Sequence, residues 1–314
     1  MNTQSNAVPE SPLDAQGVAD PGMSTTRPMY WSVRRELWEN RSIYIAPLAV
    51  AAVYLAGYSI SLFWMPRSMR DMGATHSAPL MVELAMPYAH AGMLLALTAF
   101  LVGIFYSLDA LHGERRDRSI LFWKSLPVSD LSTVLAKAGV PLVILPVLVF
   151  VITVLLQIVM RIESGAVLML SGASTATPSH PPLFEMQLVL LYEVIVLTLW
   201  HAPIYMWMLL VSGWARRAAF LWAVLPPLAL AAMEYVAFHT HHLGSLLYGR
   251  LLGFDEIAFE LKDKNGVPLD AHFIPLAQLA PGRFLSSPSL WLGLVFAAAF
   301  LAAAVRLRRY REPI

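Results

Sequence analysis

A chain of 314 residues that is 57% hydrophobic and only 14% charged lacks the polar surface of a soluble domain, where roughly a quarter of residues are charged. Its formal net charge of +1 leaves no electrostatic footprint for nucleic acid. The absence of cysteine excludes disulfides, thiolate metal sites and a cysteine nucleophile.

In chain order, residues 1–26 come first. They are polar, rich in Pro, Gly and Ser, and lack the apolar core and early basic cluster of a signal peptide, so a disordered cytoplasmic tail is expected. The segment YWSVRRELWENR follows, with Tyr30, Val33, Leu37 and Trp38 near one helical face. That pattern predicts an amphipathic helix in the membrane interface, anchored by tryptophan and arginine. Six long apolar runs then cover 43–64, 84–108, 140–160, 188–211, 218–238 and 288–305. A bilayer core about 30 Å thick is crossed by about 20 apolar helical residues. Irregular backbone cannot face lipid, so each run is read as a helix. The expected fold is an all-α integral membrane protein, with residues 27–314 forming one six-helix transmembrane domain.

Orientation follows from the connecting segments. Arg27, Arg34, Arg35 and Arg41 precede the first span, and Arg115, Arg116, Arg118, Lys124 and Lys137 follow the second. Arg216 and Arg217 follow the fourth, and Arg306, Arg308, Arg309 and Arg311 close the chain. These alternate segments hold fifteen of the 22 Lys and Arg residues, which predicts both termini on the cytoplasmic side.

Two connections read as more than loops. After the second span comes HGERRDR and then SILFWKSLPVSD, where Pro127 is expected to end a short helix near Leu126 and Ser129 or Asp130 to cap the next. Ile120, Leu121, Trp123 and Leu126 leave apolar surface on a highly charged piece, a surface that rests on a membrane or a partner. Between the fifth and sixth spans, LGSLLYGRLLGF and HFIPLAQLAPGRF flank a polar stretch with the turn Lys264-Asn265-Gly266. The apolar flanks predict short helices dipping into the outer leaflet.

Around Glu114 the chain resembles the permease subunits of ABC-2 type ABC transporters. Glu114, Leu121, Leu126, Pro127, Val128, Ser129 and Lys137 match a family pattern of a glutamate, a leucine-rich stretch ending in Leu-Pro-Val-Ser, and a lysine. The interfacial helix, six spans, inward termini and partly re-entrant outer segment also match, from about Tyr30 onward. The charged stretch 255–270 and the polar N-terminal tail depart from the pattern. The resemblance implies that the second connection carries a cytoplasmic coupling helix seated on a separate ATPase subunit. The contact set is then Glu114, Arg115, Arg116, Asp117, Arg118, Leu121, Leu126 and Pro127. It also implies a second permease chain, a homo- or heterodimer, and export; the absence of cysteine and of a cleavable signal fits a bacterial inner membrane. No G-x-x-x-x-G-K-[ST] phosphate loop occurs, so ATP and Mg would be bound by the partner and this chain would hold no cofactor.

Other chemistry is sparse. Glu193 and His201 share the fourth span eight residues apart, on roughly one face, and are candidates for a translocation path or for a structural contact between helices. His239, His241 and His242 cluster at the end of the fifth span, without the H-E-x-x-H pattern of a zinc enzyme. Trp31, Trp38, Tyr44, Phe63 and Trp64 are read as interface anchors. Two rival readings are an intramembrane protease or lipid-modifying hydrolase, and a non-transporting scaffold or sensor. The first lacks a G-x-S-x-G elbow and paired aspartates within the spans.

Overall fold

The computed structural model describes residues 26–63, 77–119, 129–170, 182–260 and 276–310. Among these residues the protein is helical throughout, and six helices are long and apolar enough to cross a membrane. It is a multi-pass membrane protein. The expected tail, the segment from Ile120 to Val128, and the Lys264 turn lie outside the described residues.

Helix α1 (Thr26–Glu39) precedes the first span, α2 (Ser42–Ser61), across a short turn at Asn40 and Arg41. The second span is α3 (Ser77–Asp109), followed at once by the short α4 (His112–Arg116). Helix α5 (Asp130–Gly139) begins where the Ser129 side chain accepts from the Ser132 N–H at 3.1 Å, satisfying one orphan donor of the first turn. It runs through a π-helical turn (Val140–Ile144) into α6 (Leu145–Leu170). Pro141 has no N–H, and its ring would collide with the carbonyl four residues back in a regular helix. The chain answers by widening, so that the Leu145 N–H reaches Val140 O, five residues back.

Helix α7 (Leu183–Trp214) is the most buried span and α8 (Ala219–Phe238) the least, so the bundle is built around α7. The last span, α12 (Pro288–Tyr310), runs parallel to α7 and packs closely along it. Trp207 meets Phe300 with ring centroids 5.4 Å apart, and Leu307 lies against Gly213, where a β-carbon would touch it.

Between α8 and α12 lie α9 (His242–Leu252), α10 (Asp255–Ala258), a 3-10 turn (Leu276–Gln278) and α11 (Pro281–Ser286). Helix α8 ends at His239, whose φ of 53° turns the chain sharply. Glu234 then caps α9 from the preceding helix. Its carboxylate accepts from the Leu243 N–H at 2.6 Å, the His242 N–H at 2.8 Å and the Thr240 hydroxyl at 2.7 Å. The folded-back layer rests on the middle of α7. Trp200 Nε1 donates to Gly249 O at 3.2 Å, and Phe259, Phe284 and Leu290 bury themselves around Trp200 and Val196.

At the other end of α8, Ala218 also adopts a left-handed backbone, with φ of 50°. A β-carbon there costs roughly 1–2 kcal/mol, which glycine avoids. Ala218→Gly is therefore expected to raise the stability of the detergent-solubilised protein by about 1 kcal/mol, read as an upward shift of its thermal midpoint.

Candidate functional site

The end of the bundle where α1, α3, α5, α7 and α12 meet contains a buried ionic cluster. Its centre is Glu36, only 1% exposed although it lies on a helix outside the spans. Glu36 Oε1 accepts from Lys137 Nζ of α5 at 2.9 Å and from Arg35 Nη2 at 2.8 Å, while Oε2 accepts from the Tyr106 hydroxyl of α3 at 2.7 Å. Glu114 of α4 is the second centre. Its Oε1 lies 2.8 Å from Arg35 Nη2 and 3.2 Å from Lys137 Nζ, and its Oε2 lies 3.3 Å from Arg308 Nη2 of α12. Arg308 Nε also sits 3.7 Å from Asp130. Three cations thus face three carboxylates.

Burying charge this deeply is costly unless every charge is answered. Burial by itself pushes the Glu36 carboxyl up, but the Lys137 ammonium, reinforced by Arg35 and the Tyr106 hydroxyl, holds it below the usual carboxylate range. Glu39, one turn on and half-exposed, moves the opposite way because burial outweighs its pairing with Arg35. The Arg308 corner is looser than the Glu36 corner. Glu114 Oε2 and Arg308 Nε and Nη1 are buried without a hydrogen bond, so charge alone holds them.

The rest of α4 is docked on the end of α7 by reciprocal capping. Ser212 Oγ accepts from the Leu111 and His112 N–H groups at 2.9 and 2.8 Å, satisfying donors that the start of α4 leaves free. In return Arg115 Nη1 donates to Gly213 O at 2.8 Å and Ala215 O at 3.3 Å, where α7 leaves carbonyls free.

This geometry divides the residues predicted for the connection. Glu114 and Arg115 are interior groups, 8% and 5% exposed, and face α1, α5, α7 and α12 rather than solvent. Arg116, Asp117 and Arg118 form the outward edge. Arg116 pairs with Asp117 at 3.1 Å, and Arg118 takes a left-handed backbone, φ 57°, as the chain leaves α4. Leu121, Leu126 and Pro127 lie outside the described residues. In α1, Leu37 packs on the core, but Tyr30, Trp31 and Trp38 are exposed and Glu36 turns inward. Arg34 lies over the rings of Trp31 and Trp38, at 5.2 and 4.5 Å.

Glu193 and His201 have separate surroundings. The His201 ring is closed in between Phe100 and Phe254, at 4.7 and 5.9 Å. Its nitrogens face Leu197 O at 2.9 Å and Leu251 O at 3.1 Å, so it bonds α7 to α9. Glu193 has no hydrogen bond or ion pair among the described residues; the charge acting on it is that of Asp255. The three clustered histidines are also put to different uses. His239 ends α8, His241 stacks on Tyr235 at 4.8 Å, and the backbone of His242 is held by Glu234. Among the described residues no group of three His, Asp or Glu side chains is placed to hold a metal ion.

Reading the sequence missed Glu36 and Arg308 as members of the cluster. A glutamate on an otherwise amphipathic helix looks like solvated surface, and Arg308 looks like one more positive-inside charge. Compared with family models, with curated proteins and with solved structures, the chain matches none.

Glu36 carries a test of the cluster. A carboxylate held below its ordinary range contributes stability above that range and loses it as pH falls through the depressed value. Stability should therefore fall on acidification in the wild type. Glu36→Gln should destabilise the protein by about 3 kcal/mol near neutral pH, because buried Lys137 and Arg35 then share Glu114 without the closer Glu36 carboxylate. The same variant should flatten the acid limb of a stability-against-pH curve, and adding Lys137→Met should recover part of the loss.

Proposed function

We propose that this chain is the permease subunit of an ATP-driven exporter of the ABC-2 type. In this reading it is the membrane-spanning half of a transporter, paired with a second permease chain and driven by separate ATPase subunits on the cytoplasmic side. Both termini are then cytoplasmic and the membrane is a bacterial inner membrane. The chain binds no nucleotide itself; ATP and Mg belong to the partner.

The observation that carries this reading is the place of Glu114. The connection after the second span begins with a rigid, buried joint that ties together α1, α5 and α12, while α4 is locked onto the end of α7 by Ser212 and Arg115. A push on the exposed edge at Arg116, Asp117 and Arg118 then reaches four other helices at once. A scaffold has no need of such a joint, whereas a subunit driven from outside does. The looser Arg308 corner suits a contact that breaks and re-forms during a cycle. Within this reading Glu193, uncompensated and beside the folded-back layer, is the better path residue, and His201 is a structural bolt.

Isolation of the tagged chain from native membranes, with mass spectrometry of what accompanies it, tests the assignment. A nucleotide-binding ATPase is expected, and it should be lost when Arg116, Asp117 and Arg118 are replaced by alanine in a chain that stays folded. Recovery of the chain alone after mild crosslinking would exclude the exporter reading.

A further inference from the structure

Among the described residues, Arg35, Arg308, Arg115 and Arg283 are each answered in one of two ways, and Arg250 in neither. Arg35 and Arg308 face carboxylates. Arg115 and Arg283 reach free carbonyls at the C-terminal ends of α7 and α10, where the helix dipole is negative. Arg250, near the end of α9, is half-buried. Its Nη2 donates at 2.8 Å to Ser289 O in the first turn of α12, the positive end of a helix of 23 residues. Its Nη1 is 3.4 Å from Trp200 O, a carbonyl inside α7. The remaining support is the Trp200 ring, with the guanidinium carbon 4.5 Å from its centroid. Among the described residues no carboxylate is placed to pair with it, and burial alone shifts its pKa, downward.

The position is specific. Gly293 of α12 lies flat against the guanidinium, and a β-carbon at that residue would fall on Nη2 and the guanidinium carbon. Along α12, Gly293 is roughly 22 Å from Arg308, in a bilayer core about 30 Å thick. Arg250 therefore lies in the leaflet opposite the ionic cluster. Leu246 lies one helical turn before Arg250, and Trp291 and Leu292 directly precede Gly293; they are 63%, 57% and 60% exposed and leave apolar surface on α9 and α12. A guanidinium carries five donors in a planar fork, and the two carbonyls engage only two of them. Phosphate is the anion whose oxygens match that fork.

We propose that Arg250 binds a phosphate group in this leaflet, presented by the headgroup of an anionic lipid whose chains lie along Leu246 and Leu292. The site is independent of the exporter assignment, since it needs neither an ATPase nor a second chain. Free phosphate offers the same oxygens, so the test has an arm for each source.

The full chain, purified in a phosphate-free non-ionic detergent, is titrated with phosphatidylglycerol and bound lipid is counted by native mass spectrometry. A parallel equilibrium dialysis uses inorganic phosphate alone. Phosphatidylglycerol should bind, with affinity reduced about tenfold or more in Arg250→Gln and partly kept in Arg250→Lys. Gly293→Ala, which crowds the guanidinium without removing it, should also weaken binding, and it serves if Arg250→Gln fails to fold. Arg250-dependent uptake of inorganic phosphate with no lipid binding would keep the phosphate site and reassign its source. Equal binding of both probes by the wild type and a folded Arg250→Gln or Gly293→Ala protein, or no binding by the wild type, overturns the proposal.

Discussion

Two glutamates, Glu36 and Glu114, sit out of water between Arg35, Lys137 and Arg308, and much of the molecule is arranged to keep that charge balanced. None of the five can be buried alone without a cost of several kcal/mol. Together they define one place where α1, α4, α5 and α12 must meet. The pose of α1 follows from this constraint, because Glu36 has to face inward and the aromatics at Tyr30, Trp31 and Trp38 are thereby turned outward. Where α5 enters the bundle also follows, because Lys137 has to reach Glu36 and Glu114.

The opposite end is held by different physics. There the joints are hydrogen bonds from individual side chains to helix ends and carbonyls, with aromatic rings packed around them. Glu234 caps α9, Arg283 caps α10, and Trp200 and His201 fasten the folded-back layer to the middle of α7. Such contacts are directional and local, so they position short helices without spreading a displacement. The ionic joint does the reverse: it couples remote segments through charges that share partners.

Legibility in the sequence followed the range of the interaction. The spans were readable because a bilayer demands long uncharged runs, and the start of α5 because Ser129 bonds an N–H only three residues on. The importance of Glu114 was readable only through a motif. Its environment was not, since Arg35 lies 79 positions away in the chain. The same distance hid the use of Arg115, which looked like surface charge and instead closes the end of α7 98 positions on. Glu193 and His201 were paired by helical spacing, yet His201 was claimed by Leu251 of a segment that spacing along α7 cannot see.

What the sequence determined by itself was the solvent of this protein and the number of its crossings. Hydropathy acts residue by residue, and a helix in lipid must satisfy its own backbone wherever its neighbours lie. Tertiary structure alone decided which charges are interior. A carboxylate tolerates burial only when cations arrive from other segments, and their arrival depends on how six helices pack. The sequence places Glu36, Lys137 and Arg308 on three separate elements; packing brings them into one cluster.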